Sequence, residues 1–536
     1  MDESLGTQPY RMRAGPPIPI AFVPPYNADM PFSGSASTTM AATFAAALLV
    51  AGVVAWSETM PRPRPAGAAP PAAATVATDA TGPRILRGTA AFGDWRNDAP
   101  GTVRHFEPAD MPQPYGSRSA SNGPQGAAVP DHPRLRVPDG FVVSLWAKGL
   151  SAPRELKVAP NGDVFAAETA LGDIQVLRPA RTGQAGPASV YASDLDGPFG
   201  MAFYPPGDDP RWLYVATTAA VWRFPYRVGD TMASGKPQHV VDLAISEGGH
   251  STRDVAFSPD GKRMFVSVGS QSNDAEDLPR TAAADLAGLP LGAAWGDEAK
   301  RADVLSFDPQ GGDPKVLATG LRNCVGLAVA PQHGDVYCAT NERDGLGDDL
   351  PPDYVTRVRE GGFYGWPWFY IGNHEDPRHK ADRRDIGAMT SVPDVLLQAH
   401  SGPLTMTFYA APADAAARFP PSYAGQAFVA LHGSWNRSKR TGYKIVQVEI
   451  DNGVPTGAYR DFLVGFVNDD GRVWVGRSAS RSCAMGPCWS GRTRTARCGA
   501  SLRWPVRRPS RDRREPGAGR RGSHGNDRFD GIDFPF

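Results

Sequence analysis

Short runs of alternating apolar and polar residues recur in pairs between residues 135 and 474, and turns rich in proline, glycine or aspartate separate the two runs of most pairs. Side chains on a strand point to opposite faces in turn, so this alternation predicts antiparallel β-hairpins. The first runs of the five pairs span residues 156–160, 200–205, 254–259, 326–331 and 404–409. Successive pairs begin about 45 to 80 residues apart, which leaves room for four strands in each unit.

Repeated units of four strands predict a β-propeller, in which each unit forms one blade around a central channel. The chain shows no helix-period segment long enough for a βαβ unit, and it contains neither G-x-G-x-x-G after a strand nor a P-loop. These sequence features argue against NAD, FAD and ATP as cofactors. The predicted fold class is therefore all-β.

The tail, residues 475–536, has a different composition from the repeats. It holds 14 arginines, no lysine and five acidic residues, although the whole chain balances 56 basic against 56 acidic residues. When the tail is back-translated into GC-rich codons and shifted by one base after Trp474, a sixth hairpin pattern can be written. We therefore expect a six-bladed propeller whose sixth blade is incomplete in this chain because of a C-terminal frameshift. A genuine basic tail is the alternative.

The N-terminal part predicts export. Residues 40–56 read MAATFAAALLVAGVVAW without a charge, which suits a signal-peptide core or a membrane anchor, with a buried core helix as the alternative. A Pro/Ala-rich linker follows at 61–74. The predicted organisation is an extension that is disordered or precedes the true start (1–39), a signal peptide or anchor (40–57), a linker and lead-in (58–130), the propeller (131–474) and the basic tail (475–536).

Export would place the propeller in the periplasm, with a membrane tether if the apolar segment is retained. In that oxidising compartment Cys324 and Cys338, which flank a predicted hairpin, could form a disulfide, and two buried free thiols are the alternative. A formal net charge of zero argues against a nucleic-acid-binding protein.

The residues that precede the first strand of each unit should meet at one mouth of the channel. They include His250, the neighbouring pair Arg322 and Asn323, and His400. Such a cationic mouth favours an anionic ligand and provides an imidazole as a general base. Loop-capping and loop-bracing roles are the alternatives. The loop at 341–353 is rich in oxygen donors, as a hard cation requires, but a solvated loop would have the same composition.

Four motifs together carry a family resemblance: GGHSTRDVAFSPDG at 248–261, GLRNCVGLAV at 320–329, NERDGLGDD at 341–349 and GGFYGWPW at 361–368. They resemble the glucose/sorbosone dehydrogenase family, whose members are six-bladed propellers that use pyrroloquinoline quinone. HGSWNR at 432–437 and RTGYK at 440–444 are similar to the L-sorbosone dehydrogenase branch. The resemblance covers roughly residues 130–474.

The resemblance implies roles for individual residues. It implies that His250 is the catalytic base and that Arg322 and Asn323 lie near the quinone carbonyls. It also implies that the backbone carbonyls of Asp344 and Gly345 bind a calcium ion. Further cofactor-binding candidates are His400, Arg437, Lys439 and Arg477, of which Arg477 is the remnant of the family's sixth-blade arginines. Two departures concern the base and the quinone: Ser270 stands where the family has a base-orienting aspartate, and Leu195–Asp196 where it has a glutamine.

The function implied is oxidation of a sugar, an aldose or a sorbosone-like aldehyde, by hydride transfer to pyrroloquinoline quinone with calcium as Lewis acid. No C-x-x-C-H occurs in the chain, so the expected electron acceptor is a separate cytochrome or quinone. A calcium-dependent lactonase and a non-catalytic binding propeller are the alternative readings of the same fold.

Overall fold

The alternating runs form strands in a computed structural model of the chain, and their arrangement is an all-β propeller with five blades. The structure describes residues 83–474 apart from 131–132, 182–183, 245–247, 280, 282, 287 and 411–418, and it also describes backbone strands at 500–503 and 534–535. Every predicted hairpin is confirmed, and each supplies the first two strands of a blade.

Each blade is a sheet of four antiparallel strands in chain order. Blade 1 contains Glu155–Val158, Val164–Glu168, Asp173–Leu177 and Ser189–Ala192, and blade 2 contains Met201–Tyr204, Trp212–Ala216, Ala220–Pro225 and Gln238–Asp242. Blade 3 contains Val255–Phe257, Met264–Val268, Asp303–Phe307 and Lys315–Thr319, and blade 4 contains Cys324–Val329, Val336–Thr340, Tyr354–Arg357 and Val395–Leu396. Blade 5 contains Pro403–Phe408, Ala427–Leu431, Lys444–Asp451 and Val454–Leu463.

Other short elements extend the blades. Gly362–Phe363 pairs in parallel with the last strand of blade 3, and Phe369–Tyr370 pairs with His374–Glu375. Val103–His105 adds to the last strand of blade 5, and Ile85–Arg87 adds to it in turn, so part of the lead-in is folded onto this blade. The 3-10 helices are Gly88–Phe92, Trp95–Asn97, Pro108–Asp110, Ala283–Leu286, Gly296–Glu298, Pro377–His379, Gly387–Met389 and Pro421–Tyr423.

A further sheet joins Val142–Leu145 to the backbone strands Ala500–Arg503 and Phe534–Pro535. Five blades are present in the described residues, and the six-bladed ring and the frameshift remain predictions. In the same part of the chain no helix is long and apolar enough to cross a membrane, and the predicted signal or anchor segment lies outside it.

The second strands are buried on both faces because neighbouring blades pack against each side of a blade. Val164–Glu168, Met264–Val268 and Val336–Thr340 are buried at every position. The first strands approach closely around the channel: a Cβ at Gly326 would lie 2.9 Å from the carbonyl oxygen of Leu404 on the next blade. Such contacts leave no room for a side chain and account for glycine at this position.

A disulfide joins Cys324 and Cys338 across the first two strands of blade 4, with a Cα–Cα distance of 5.6 Å. The structure thus confirms the disulfide and not the alternative of two free thiols. Because Cys324 directly follows Arg322 and Asn323, the cross-link lies next to the channel mouth.

Four charged residues without access to water connect the lead-in to blade 5. Arg104 donates to Asp461 at 2.6 Å and to Asp98 at 2.9 Å, and Lys444 lies 2.8 Å from both carboxylates. None of the four residues is more than 6% exposed. Two cations therefore balance two carboxylates, as buried charges require.

Replacing Arg104 by alanine should lower the free energy of unfolding by about 3–5 kcal/mol, because one buried cation would then face two carboxylates. Arg96→Ala is the matched control: Arg96 pairs with Asp94 at the surface and its side chain is 57% exposed, so the loss should stay below about 1 kcal/mol. Denaturant unfolding of the two variants measures both values. Equal losses would contradict the role assigned to the buried cluster.

Candidate active site

The predicted site residues lie at one end of the propeller. Arg322 and Asn323 immediately precede the first strand of blade 4, and His250 and His400 precede the first strands of blades 3 and 5. Asp344 follows the second strand of blade 4, which runs antiparallel to the first and so ends at the same side. These five residues therefore lie at the same end of their blades, and their joint role in one site stays a prediction.

His250 and the Arg322–Asn323 pair are joined through Ser270. The Ser270 carbonyl accepts a hydrogen bond from His250 Nδ1 at 2.8 Å, and the Ser270 N–H donates to the Arg322 carbonyl at 2.7 Å. A Cβ at Gly269 would lie 2.7 Å from His250 Cβ and 2.3 Å from Asn323 Oδ1, so these two side chains flank Gly269 closely. His250 and Asn323 therefore lie beside Gly269, and the backbone of Ser270 links them to Arg322.

The hydrogen bond to Ser270 decides the protonation of the His250 ring. A carbonyl only accepts, so Nδ1 carries the proton and Nε2 keeps its lone pair. Burial and the charges of Arg322 and Arg301 lower the pKa of His250 to about 3, against the opposing effects of the Ser270 hydrogen bond and Asp344. The imidazole is therefore neutral near pH 7, and Nε2, which has no hydrogen-bond partner among the described residues, can accept a proton.

Two arginines, Arg301 and Arg253, hold the backbone around His250. Arg301 donates to the carbonyls of Gly269 at 3.0 Å, His250 at 2.9 Å and Ser270 at 3.1 Å. Arg253 also donates to the His250 carbonyl, at 2.7 Å. The carbonyl of Ser270, which a guanidinium holds in place, therefore orients the ring of His250.

Glu298 fixes the turn that follows Ser270. Its carboxylate accepts from the backbone N–H of Gln271 at 2.6 Å and from both the N–H and the hydroxyl of Ser272, at 2.8 and 2.6 Å. The Ser270 hydroxyl donates to the Ser272 carbonyl at 2.7 Å. The side chain of Ser270 is therefore engaged with the turn and leaves the carbonyl as the main partner of His250.

Among the described residues, no carboxylate contacts the guanidinium of Arg322 directly; burial lowers its pKa, and the nearby carboxylates of Asp344 and Glu342 oppose this effect. The guanidinium donates to the carbonyl and the side-chain oxygen of Asn273 at 2.9 and 3.0 Å, and to the Glu342 carbonyl at 2.9 Å. These acceptors are neutral, so the positive charge at the channel mouth persists. Asn273, which Trp366 Nε1 also contacts at 3.1 Å, was not identified from the sequence because it occupies no repeat position.

Asp344 is connected to His400 and to Asn273. Its carboxylate lies 3.5 Å from His400 Nδ1 and accepts from Asn436 Nδ2. Burial would raise the pKa of Asp344, but His400 and Arg322 hold it below its ordinary value. His400 is buried, and its Nε2 donates to the Gly347 carbonyl at 2.9 Å, so it connects loops at the mouth.

The predicted calcium position does not fit the structure. The Asp344 carbonyl accepts from Asn273 Nδ2 at 3.1 Å and from Arg378 Nη1 at 3.0 Å, which uses both of its lone pairs. Gly345 is exposed, and a Cβ there would lie 3.2 Å from the same guanidinium nitrogen. The described residues also contain no cluster of three or more histidine, cysteine or acidic residues that could hold a metal ion.

The structure describes two of the remaining candidates, Arg437 and Lys439. Arg437 is buried and braces two segments, since it donates to the Phe92 carbonyl at 2.6 Å and, on the loop after the second strand of blade 4, to the Asp348 carbonyl at 3.1 Å and the Asp349 carboxylate. Lys439 is exposed, and its carbonyl accepts from Arg437 at 2.8 Å. Arg477 lies outside the described residues.

Comparison with known proteins adds to this geometry. The TrAA12-like family model matches residues 135–353 and 372–462, more than half of the chain. An uncharacterized protein of Borreliella burgdorferi is 30% identical over 351 residues, which cover 63% of this chain and 82% of that protein. A pyrroloquinoline quinone-dependent pyranose dehydrogenase of Coprinopsis cinerea is 25% identical over 366 residues, which cover 60% of this chain and 46% of that enzyme. The present chain thus spans about half the length of the latter relative.

The holo form of the pyrroloquinoline quinone domain of Coprinopsis cinerea pyranose dehydrogenase has a similar fold, with a TM-score of 0.50 at 22% identity, over 65% of this chain and 91% of that domain. The predicted resemblance to quinone-dependent sugar dehydrogenase propellers is therefore confirmed. The narrower assignment to the sorbosone branch stays a prediction.

Ser270→Ala should leave the proton of His250 on Nδ1, because the carbonyl at 2.8 Å and not the hydroxyl at 3.1 Å is the main acceptor. Arg301→Ala should leave the Ser270 carbonyl less firmly held. Each buried carbonyl that loses its hydrogen-bond donor should lower the free energy of unfolding by about 1–3 kcal/mol. Nitrogen-15 NMR of histidine-labelled protein at pH 7 reports the tautomer, with His250→Gln used to assign the signal. A proton that moves to Nε2 in Ser270→Ala would overturn this assignment.

Proposed function

Since this chain belongs to the TrAA12-like family, we propose that it is a dehydrogenase that oxidises a sugar with pyrroloquinoline quinone as hydride acceptor and His250 as general base. The observation that supports the proposal is the neutral imidazole of His250, next to Asn323 and Arg322. The Ser270 carbonyl accepts a hydrogen bond from Nδ1, so the lone pair of the ring is on Nε2. A proton acceptor and a positive charge within reach of one ligand are what such an oxidation requires.

Asn323 and Arg322 fit the quinone. Asn323 is 7% exposed, and its buried Oδ1 has no hydrogen-bond partner among the described residues, a state that a bound ligand donor or a rotated amide would relieve. Arg322 offers a guanidinium whose charge no carboxylate contacts directly, and pyrroloquinoline quinone carries three carboxylates. His400 and Arg437 would act on the site indirectly, through the loops that they connect.

In the proposed reaction Nε2 of His250 accepts the proton of the hydroxyl group at the sugar carbon that is oxidised. The O–H bond breaks, a carbonyl forms, and the hydrogen on that carbon leaves with its electron pair. Bound pyrroloquinoline quinone would supply the acceptor for this hydride. The Nδ1 hydrogen bond stabilises the imidazolium that forms, because the Ser270 carbonyl presents its negative end to the ring.

We infer that the substrate is an aldose, in line with the pyranose dehydrogenase of Coprinopsis cinerea, with a sorbosone-like aldehyde as the second sugar class. We propose that the electrons then pass to a separate acceptor, a cytochrome or a quinone. We also propose a periplasmic location with a possible membrane tether. The uncharged segment at 40–56 and the Cys324–Cys338 disulfide support export.

His250→Gln should lower kcat for sugar oxidation by about 10²–10⁴-fold, since the general base is lost. The quinone affinity should change little, because glutamine keeps a polar side chain of similar size. The assay uses protein loaded with pyrroloquinoline quinone, a redox dye and a panel of aldoses. His239→Gln is the control, since His239 is on the outermost strand of blade 2. No dye reduction by the native chain with any sugar, or lactone hydrolysis with calcium instead, would contradict the proposal.

We further propose that a sixth blade completes the propeller in the unshifted translation. The strand Val142–Leu145 supports this idea, because none of the five blades includes it and it pairs instead with the tail strand Ala500–Arg503, in a sheet outside the five blades. A chain whose reading frame is corrected after Trp474 should therefore unfold at a higher temperature and oxidise sugar faster than the present chain. Equal melting temperatures and equal rates would contradict the sixth blade.

A further inference from the structure

The guanidinium of Arg378 lies at the place where the family resemblance puts calcium. Arg378 belongs to the 3-10 helix Pro377–His379, and its Nη1 donates to the Asp344 carbonyl at 3.0 Å and to the Asp274 carboxylate. The same nitrogen would be 3.2 Å from a Cβ at Gly345. A permanent positive charge therefore contacts both residues to which the resemblance assigns the metal.

Arg378 is fixed in this position by Asp376. Its Nε and Nη2 donate to the two oxygens of that carboxylate at 2.9 and 2.8 Å, and Arg343 donates to the same group at 3.0 Å. Burial would raise the pKa of Asp376, but the two arginines lower it to about 2, so the carboxylate stays ionised. A bidentate pair of this kind holds a guanidinium in a defined plane.

A calcium ion has no ready set of ligands here. It takes about six to eight oxygen ligands. The Asp344 carbonyl already accepts two hydrogen bonds, and the Asp274 and Asp376 carboxylates accept from Arg378. A metal could bind only if Arg378 moved away and gave up its bidentate pair.

We propose, on the premise of the proposed function, that Arg378 replaces calcium in this chain and that quinone binding does not require a divalent cation. The guanidinium is permanently charged, and the N–H of Nη2 that Asp376 does not accept can donate to a carboxylate or carbonyl oxygen of the quinone. Arg322 supplies a second positive charge. The side-chain amide of Asn273 connects the two arginines, because it accepts from Arg322 and contacts the backbone of Asp344, to which Arg378 donates.

Binding of pyrroloquinoline quinone to the quinone-free protein, measured by calorimetry, tests the proposal directly. The affinity of the native chain should be the same in EDTA and in calcium chloride. Arg378→Gln should bind the quinone at least about tenfold more weakly in EDTA, a loss that corresponds to one charge-assisted contact of about 1.4 kcal/mol. Calcium should restore part of this affinity, because the Asp344 carbonyl loses one of its two donors and the Asp274 carboxylate loses the guanidinium. A native chain that loses the quinone in EDTA would overturn the proposal.

Two further variants separate charge from folding. Arg378→Lys keeps the charge and should bind the quinone in EDTA more tightly than Arg378→Gln; equal affinities would overturn the role of the charge. Arg384→Gln is the matched control, because Arg384 pairs with Glu375 on the same segment and its side chain is 65% exposed. It should bind the quinone as the native chain does, and thermal melting shows whether each variant is folded.

Equilibrium dialysis with radioactive calcium separates this proposal from the proposed function, since it needs no quinone. Arg378→Gln should gain a calcium site that the native chain lacks. The proposal would be overturned if the native chain bound one calcium ion with a Kd below about 1 mM, the weak end of protein calcium sites, and Arg378→Gln bound no more calcium than that. If no protein binds the quinone under any condition, the proposed function fails, and the dialysis result still decides whether Arg378 occupies the calcium position.

Discussion

The hydrogen bond from His250 Nδ1 to the Ser270 carbonyl is the interaction on which the site depends. It leaves the lone pair of the ring on Nε2, so a histidine that burial and neighbouring arginines keep neutral becomes a directed proton acceptor. A backbone carbonyl is a weaker partner than a carboxylate, but it cannot rotate away. Arg301 fixes the position of this carbonyl, and Glu298 fixes the turn beyond it. The ring of His250 is therefore oriented by a backbone group that several side chains hold in place.

The positive charges of the site are likewise held mainly by groups other than carboxylates. Arg322, Arg301 and Arg253 donate largely to backbone carbonyls and amide oxygens, which hold a guanidinium without cancelling its charge. By contrast, the cations that hold blade 5 together are paired with buried carboxylates. The mouth of the channel thus keeps a positive field suited to a polyanionic cofactor, whereas the scaffold is neutralised internally. Arg378 combines the two arrangements, because the carboxylates of Asp376 and Asp274 pair with its guanidinium while Nη1 also donates to the Asp344 carbonyl.

The sequence predicted the parts of this molecule that follow from local patterns. Period-two alternation and turn residues gave all five first hairpins, and the repeat position before each first strand identified His250, Arg322 and Asn323 as neighbours. Residues outside the repeats were missed: Asn273 and Arg378 lie in loops whose path no periodicity determines. Arg437 and His400 carry the right chemistry, but their acceptors are carbonyls of distant segments such as Phe92 and Gly347, which a sequence cannot bring together. The strands at 85–87 and 103–105 were missed because they are too short to show alternation.

The central claim, that His250 removes a proton while hydride leaves the same sugar carbon, is tested most directly by a single-turnover isotope experiment. Protein loaded with pyrroloquinoline quinone is mixed rapidly with an aldose deuterated at C1, and the reduction of the quinone is followed by its absorbance. The account predicts slower reduction with the deuterated sugar in the native chain and a further slowing when His250 is replaced by glutamine. Reduction at an unchanged rate with the deuterated sugar, or in the absence of His250, would contradict it.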